Sequence, residues 1–226
     1  KIKILSTPTE EKKILTILAS TILLMSAANA QVSMGISGMY VDVEVSGTQT
    51  LKTSGAKSSK THSDEAMAAE IFIENKTDSG LSVGLAIIPM SAEIGSNSVS
   101  RTDKLTSGTV TGTNKASADF SMHTTVYALL PMGSNGFYAK LGGGFVDVET
   151  TESLKTGASY GDESLNFATI GFGINKERDN GTFVRAEAAY TDYEEFTLKS
   201  TGSDAVSTIS GDLETLSARI SVGKSF

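Results

Sequence analysis

The chain has 226 residues, 22 Gly, 3 Pro, no Cys and no Trp, and its 19 basic and 26 acidic side chains leave a formal charge of −7. That is one ordinary domain's worth of sequence, and the lack of Cys excludes a disulfide scaffold, a zinc ribbon, an iron–sulfur site and a cysteine-anchored lipoprotein. An acidic balance without a basic cluster argues against a nucleic-acid partner, and no apolar run reaches the length of a membrane helix. A strand-built membrane protein stays open, because such strands hide their apolar face in alternation.

The first thirty residues read as a targeting segment. Lys12 and Lys13 precede an apolar run from Ile14 to Met25, and Ala28 and Ala30 form the small-x-small pattern that a signal peptidase reads before Gln31. Twelve or so apolar residues make about 18 Å of helix against a hydrocarbon core of about 30 Å, too short for an anchor. The reading is a cleavable signal peptide over 1–30 and one domain over 31–226.

From Gln31 onward apolar and polar residues alternate, and no stretch keeps a 3.6-residue period. Eight strands are predicted at 32–45, 66–75, 81–94, 118–130, 137–150, 164–175, 182–199 and 212–226, with no helix. Three of the breaks are short and rich in turn residues: 75–80, 131–136 and 176–181. The others, at about 46–65, 95–117, 151–163 and 200–211, are long; the first two are mostly Ser, Thr and Gly and are expected to be solvated loops. Short turns at one end and long loops at the other are expected of an all-β, eight-stranded, antiparallel up-and-down transmembrane β-barrel, with both chain ends on the short-turn side.

Within the strands one parity is apolar: Ala69, Ile71 and Ile73; Phe120, Met122, Val126, Ala128 and Leu130; Phe137, Ala139, Leu141 and Phe145; Val184, Ala186, Ala188 and Tyr190; Leu216, Ala218, Ile220, Val222 and Phe226. The other parity gathers Glu70, Glu74, Lys140, Arg185, Glu187 and Arg219, three charges of each sign. A one-residue slip would turn the three cations toward lipid at about 2–4 kcal/mol each near mid-membrane, which fixes the register. These six are expected to pair inside a bore too narrow for an open channel. The first strand changes parity near Gly38, where a bulge is expected, and the sixth reads either way. Tyr40, Phe137, Tyr138, Phe183, Tyr190 and Tyr193 fall toward strand ends and are expected to anchor at the membrane interface.

Three segments resemble the OmpA/OmpX-like and opacity-type outer-membrane β-barrel family. They are the final strand Ala218-Arg219-Ile220-Ser221-Val222-Gly223-Lys224-Ser225-Phe226, the run from Arg185 through Glu187 and Tyr190 to Tyr193, and the Gly-rich Lys140-Leu141-Gly142-Gly143-Gly144-Phe145. Lys224 stands where the family usually has an aromatic residue. The resemblance implies a place in the outer membrane of a diderm bacterium, contact with its lipid, and insertion by the outer-membrane assembly machinery, which would read Ile220, Val222, Gly223 and Phe226. It implies no activity, and no peptidoglycan-binding domain is expected.

The chemistry-bearing residues are few. Gly142–Gly144 lacks the following helix that a phosphate loop needs, so close packing is expected. His123 is expected inside the barrel beside Tyr127, and His62 in the first long loop before Ser63, Asp64 and Glu65. A rim enzyme acting on lipid A through His62 is one alternative; a small-solute pore and a soluble secreted β-sandwich are the others. The reading adopted is a monomeric barrel, not an enzyme, with a structural and surface-contact role. It has no cofactor or metal, and its loops face an extracellular ligand that the sequence does not identify.

Overall fold

The computed structural model describes residues 31–51, 57–105, 108–201 and 207–226. Among them there is no helix; there are ten strands: β1 (Gln31–Leu51), β2 (Lys57–Lys76), β3 (Ser82–Ile88), β4 (Ala92–Leu105), β5 (Gly108–Pro131), β6 (Phe137–Ser153), β7 (Glu163–Glu177), β8 (Thr182–Tyr193), β9 (Phe196–Lys199) and β10 (Ser207–Ser225). All pair antiparallel, and β1 pairs with both β2 and β10. The sheet therefore closes on itself as a barrel, which rules out the open-edged sandwich. Eight staves form the ring, because β4 continues β3 beyond Pro89 and β9 continues β8 beyond Glu195.

The register can be followed around the wall. From Val41 the hydrogen-bonded neighbours are Ser217, Ala189, Gly171, Lys140, Leu129, Ser82, Lys76 and finally Gln31 on β1 again. The path returns ten residues below its start, from 41 to 31. With strands about 4.8 Å apart and about 3.3 Å of rise per residue, that offset tilts the strands about 40° and gives a backbone cylinder about 8 Å in radius, which side chains can fill.

At one end the staves are joined by tight turns. Gly80 and Gly181 close two of them in the same way. Each glycine amide donates to the carbonyl three residues back (Thr77, 2.9 Å; Arg178, 2.8 Å), and each has positive φ (84° and 80°), which glycine alone adopts freely. At the other end the expected loops are largely strand. β1 and β2 pair from Thr50↔Lys57 downward, and β4 and β5 from Leu105↔Gly108. The Ser/Thr tracts align across these hairpins as hydroxyl pairs, Thr48–Ser59 at 2.8 Å, Ser100–Thr113 at 2.8 Å and Thr102–Thr111 at 2.8 Å. Such pairs support a two-stranded ribbon without an apolar face, so a composition that reads as loop is here a solvated ladder.

The side-chain pattern inverts along the barrel axis. Near the short turns the outside is apolar: Ile36, Phe172 and Ile220 are 60%, 66% and 58% exposed. Toward the hairpins the outward positions become Asp42, Glu44, Asn166, Asp192 and Glu214, while Val43, Val146, Leu165, Phe167, Tyr193 and Leu213 pack a core inside. This inversion explains both ambiguous strands. The expected bulge at Gly38 is absent, since Gly38 pairs in step with Ile220 and Ala69. β1 keeps its facing and exchanges its chemistry, with Met34 and Ile36 outward below and Val41 and Val43 inward above. β7 does the same between Ile170 and Phe167.

A bulge does occur, in β5. Pairing with β6 jumps between Ser121↔Asp147 and Thr124↔Phe145, so Met122 and His123 together face one residue, and Met122 takes φ of 50°. As a result Phe120, expected outside with Met122, packs against the inner core.

Candidate functional site

The barrel interior near the short turns is built from alternate residues of six strands, and it holds all six charged residues singled out above. Arg185 on β8 donates to both carboxylate oxygens of Glu74 on β2, at 2.6 and 2.9 Å. Arg219 on β10 donates from Nη1 to Glu70 at 2.8 and 3.0 Å. Lys140 on β6 donates to Glu187 on β8 at 2.9 Å. Arg219 Nε lies a further 3.2 Å from Glu187, close enough for attraction but without the alignment of a hydrogen bond, and so links the second pair to the third. Five of the ions are buried and the Arg219 side chain is only 12% exposed, so each would be costly alone and is tolerable because its partner's charge and hydrogen bonds replace water.

Several further groups complete the layer. Tyr127 and Tyr138 donate to Glu74 and Glu187 at 2.7 and 2.9 Å, and Ser37 donates to Glu70 at 3.3 Å. The Lys140 ammonium stands 4.5 Å over the Tyr127 ring, and Arg185 lies 5.1 to 5.5 Å from the rings of Phe72, Tyr138 and Phe183. Tyr138, Phe183 and Tyr193 are thus interior residues rather than interface anchors. Their parity with Lys140, Arg185 and Glu187 was the available signal, and proximity to strand ends was a poorer one. Tyr40, Phe137 and Tyr190 do face outward.

Glycines make room for these rings. A Cβ on Gly84 would meet the Tyr127 ring at 2.7 Å and the Glu74 side chain at 2.8 Å; one on Gly142 would meet Tyr127 Cβ at 2.9 Å. The Gly-rich stretch of β6 is close-packed wall.

The final strand runs between β8 and β1. Ile220, Val222 and Phe226 point outward, while Gly223 lies under the Phe183 ring. Of the cleavage-site residues only Gln31 is described, as the first residue of β1; Ala28 and Ala30 lie outside the described residues, as does the whole signal-peptide segment. His62 is in strand β2 opposite Val45, not in a loop, exposed and 4.0 Å from Asp64. His123 turns inward at the bulge, stacks on Phe167 with ring centroids 4.4 Å apart, and shares a 3.2 Å hydrogen bond with the Tyr193 hydroxyl. Among the described residues no group of three or more His, Asp or Glu has metal-binding geometry.

Two spaces flank the charged layer. A vestibule of about 200 Å³ at the short-turn end reaches Glu74 and Arg185, and a cavity of about 60 Å³ on the hairpin side reaches Arg219. No residue lines both.

No protein-family model and no curated protein matches the chain. Similar solved structures include the outer membrane protease OmpT from Escherichia coli (8% identity over 89% of this chain and 100% of that one, TM-score 0.49). Two others are AlkL in lipid bilayers (13%, 89% and 93%, 0.45) and the attachment invasion locus protein Ail of Yersinia pestis (10%, 85% and 99%, 0.36). The likeness is one of fold.

Proposed function

We propose that this chain is an outer-membrane barrel of a diderm bacterium, processed after Ala30, that reinforces the membrane and holds polar hairpins outside it. The observation that carries the reading is the combination of an apolar belt outside with paired ions inside. In water, exposed Ile36, Phe172, Val184 and Ile220 on one continuous surface would be an aggregation hazard; in a bilayer the same surface is the required one. The short turns, the start of β1 and the end of β10 then lie in the periplasm, and the Ser/Thr ladders project outside to meet an extracellular partner.

In this reading the pairs Glu74–Arg185, Glu70–Arg219 and Lys140–Glu187 plug the lumen, and the chain works as a monomer without cofactor or catalysis. The terminal strand, with Ile220, Val222, Gly223 and Phe226, is the segment offered to the assembly machinery. The test is gel mobility of the 31–226 chain refolded in detergent, boiled against unboiled. A faster unboiled band is expected; a chain that stays soluble in plain buffer with no shift overturns the membrane assignment. Planar-bilayer recording of the same material is expected to lack discrete conductance steps, and stepwise currents would replace the plug with a pore.

A further inference from the structure

One part of the barrel wall is not closed by a backbone ladder. β2 pairs with β3 only from Ile71↔Ile87 downward, and β4, resuming at Ala92, pairs with β5 alone. Among the described residues no ladder joins β2 above Ile71 to β3 or β4, and Pro89, which has no N–H to donate, sits at the interruption.

Directly inside this interruption is the 60 Å³ cavity, walled by Ala66 and Ala68 of β2, Ile88, Met90, Phe120 and His123, with Arg219 at its floor. His123 reaches it because of the β5 bulge, where Met122 holds a backbone conformation that side-chain-bearing residues rarely adopt. Strain of this kind collects at ligand sites. His123 Nδ1 is buried without a hydrogen-bond partner, and so is Arg219 Nε. The cavity therefore combines apolar walls with one unpartnered ring nitrogen and the flank of a permanent cation, whose Nε also lies 3.2 Å from Glu187.

A furrow of about 750 Å³ runs across the outer wall at the same place. It exists because Gly38, Ala69, Ala186, Ala188 and Ala218 are small, which leaves the backbone of the intervening row as its floor. It starts at Met90 and Met67 beside the interruption and crosses β2, β1, β10 and β8 to Phe172 on β7, about 20 Å at the usual strand spacing, the length of a long alkyl tail. Met39, Ala68, Met90 and Arg219 line both the furrow and the cavity.

We propose that this interruption is a lateral port that holds one long-chain fatty acid, its carboxyl group in the cavity at His123 and Arg219 and its tail in the outer furrow. The cavity has room for a head group and no more, since a water molecule in the liquid already occupies about 30 Å³. The larger head group of a phospholipid would not fit this cavity, which selects a fatty acid over a phospholipid. The assignment rests on the membrane-barrel reading above, since the tail lies in what would be the hydrocarbon layer.

The test uses the 31–226 chain refolded into phosphatidylcholine vesicles with a long-chain fatty acid carrying a photoactivatable diazirine next to its carboxyl end. Cross-links are mapped by mass spectrometry. The expected result is labelling of the inward residues Phe120, His123 and Val43, competed away by unlabelled fatty acid and lost in Ala68→Phe, which fills the port. Labelling of outward Phe172 by a tail-positioned diazirine should persist in that variant. Labels confined to outward residues, or inward labels unchanged by Ala68→Phe, overturn the port. If Ala68→Phe does not fold, Ala66→Phe, on the same wall, takes its place. The boiled-against-unboiled mobility of each sample separates the two readings: a missing shift in the parent chain removes the barrel, and a normal shift without inward labels removes only the port.

Discussion

Arg185 holds Glu74 through both carboxylate oxygens although the two residues lie 111 positions apart in the chain. Their strands do not touch in the wall; β8 and β2 meet only across the lumen. The pair forms when the ring is complete, so it reports closure rather than any one hairpin.

Breaking the pair is expected to be costly and replacing it is not. Glu74→Ala leaves the guanidinium buried without its carboxylate and should destabilise the barrel by about 3–5 kcal/mol, whereas Glu74→Leu with Arg185→Met should recover most of that loss. Urea titrations read by the unboiled gel band measure both. Equal stability of the single and double variants would show that burial of the unpaired charge is not the governing cost.

The inversion between belt and acidic zone makes a position-dependent prediction on a single face of β1. Ile36→Arg should cost about 2–4 kcal/mol in a bilayer or micelle. Asp42→Lys, six residues further along and also outward, should change stability by about 0.5 kcal/mol or less. Similar losses at both sites would move the boundary away from Tyr40.

Gly84 and Tyr127 should be energetically coupled. Gly84→Ala puts a methyl group against the Tyr127 ring and the Glu74 side chain, and such overpacking costs about 1–3 kcal/mol. In Tyr127→Leu the added cost of Gly84→Ala should shrink, and a double-mutant cycle on urea midpoints measures the difference. An additive cycle would mean that the backbone, not the ring, resists the methyl group.

The β4–β5 hairpin should be separable from the barrel. Replacing 98–115 by Asn-Gly removes exposed hydroxyl pairs and no member of either interior cluster, so refolding yield and urea midpoint should stay within experimental scatter. A large fall in either would give the hairpin a part in folding.

Alternation made Lys140, Arg185, Glu187 and Arg219 legible as interior residues, because a charge between apolar neighbours in a strand has one tolerable direction. Which carboxylate each cation would meet was not legible, since partners such as Glu70 and Arg219 are set by the ring's offset and not by either strand alone. The parity change near Gly38 was visible but misread. One facing was assumed for a whole strand, whereas β1 passes from a zone with polar interior to one with apolar interior, so the same alternation carries opposite meanings above and below Met39. Phe120 was misplaced for a different reason: nothing in Ser121-Met122-His123 announces an inserted residue. The hairpins were missed because Ser and Thr composition suggests loop, while the alignment of their hydroxyls appears only when the strands are paired.

The ten-residue offset around the ring limits how such a chain can change over generations. Inside a stave, insertion of a single residue would exchange inside for outside along the rest of that strand, and the mismatch would be carried to every seam up to the β1–β10 closure. Length can drift only where no seam constrains it, in the hairpin tips, or where the wall already accommodates a surplus residue, as at Met122 and His123. Relatives of this chain should therefore differ freely in the size of their projecting hairpins, vary in even steps within the staves, and keep nearly constant the spacings that cross only a short turn, such as Tyr127 to Lys140 and Gly173 to Arg185.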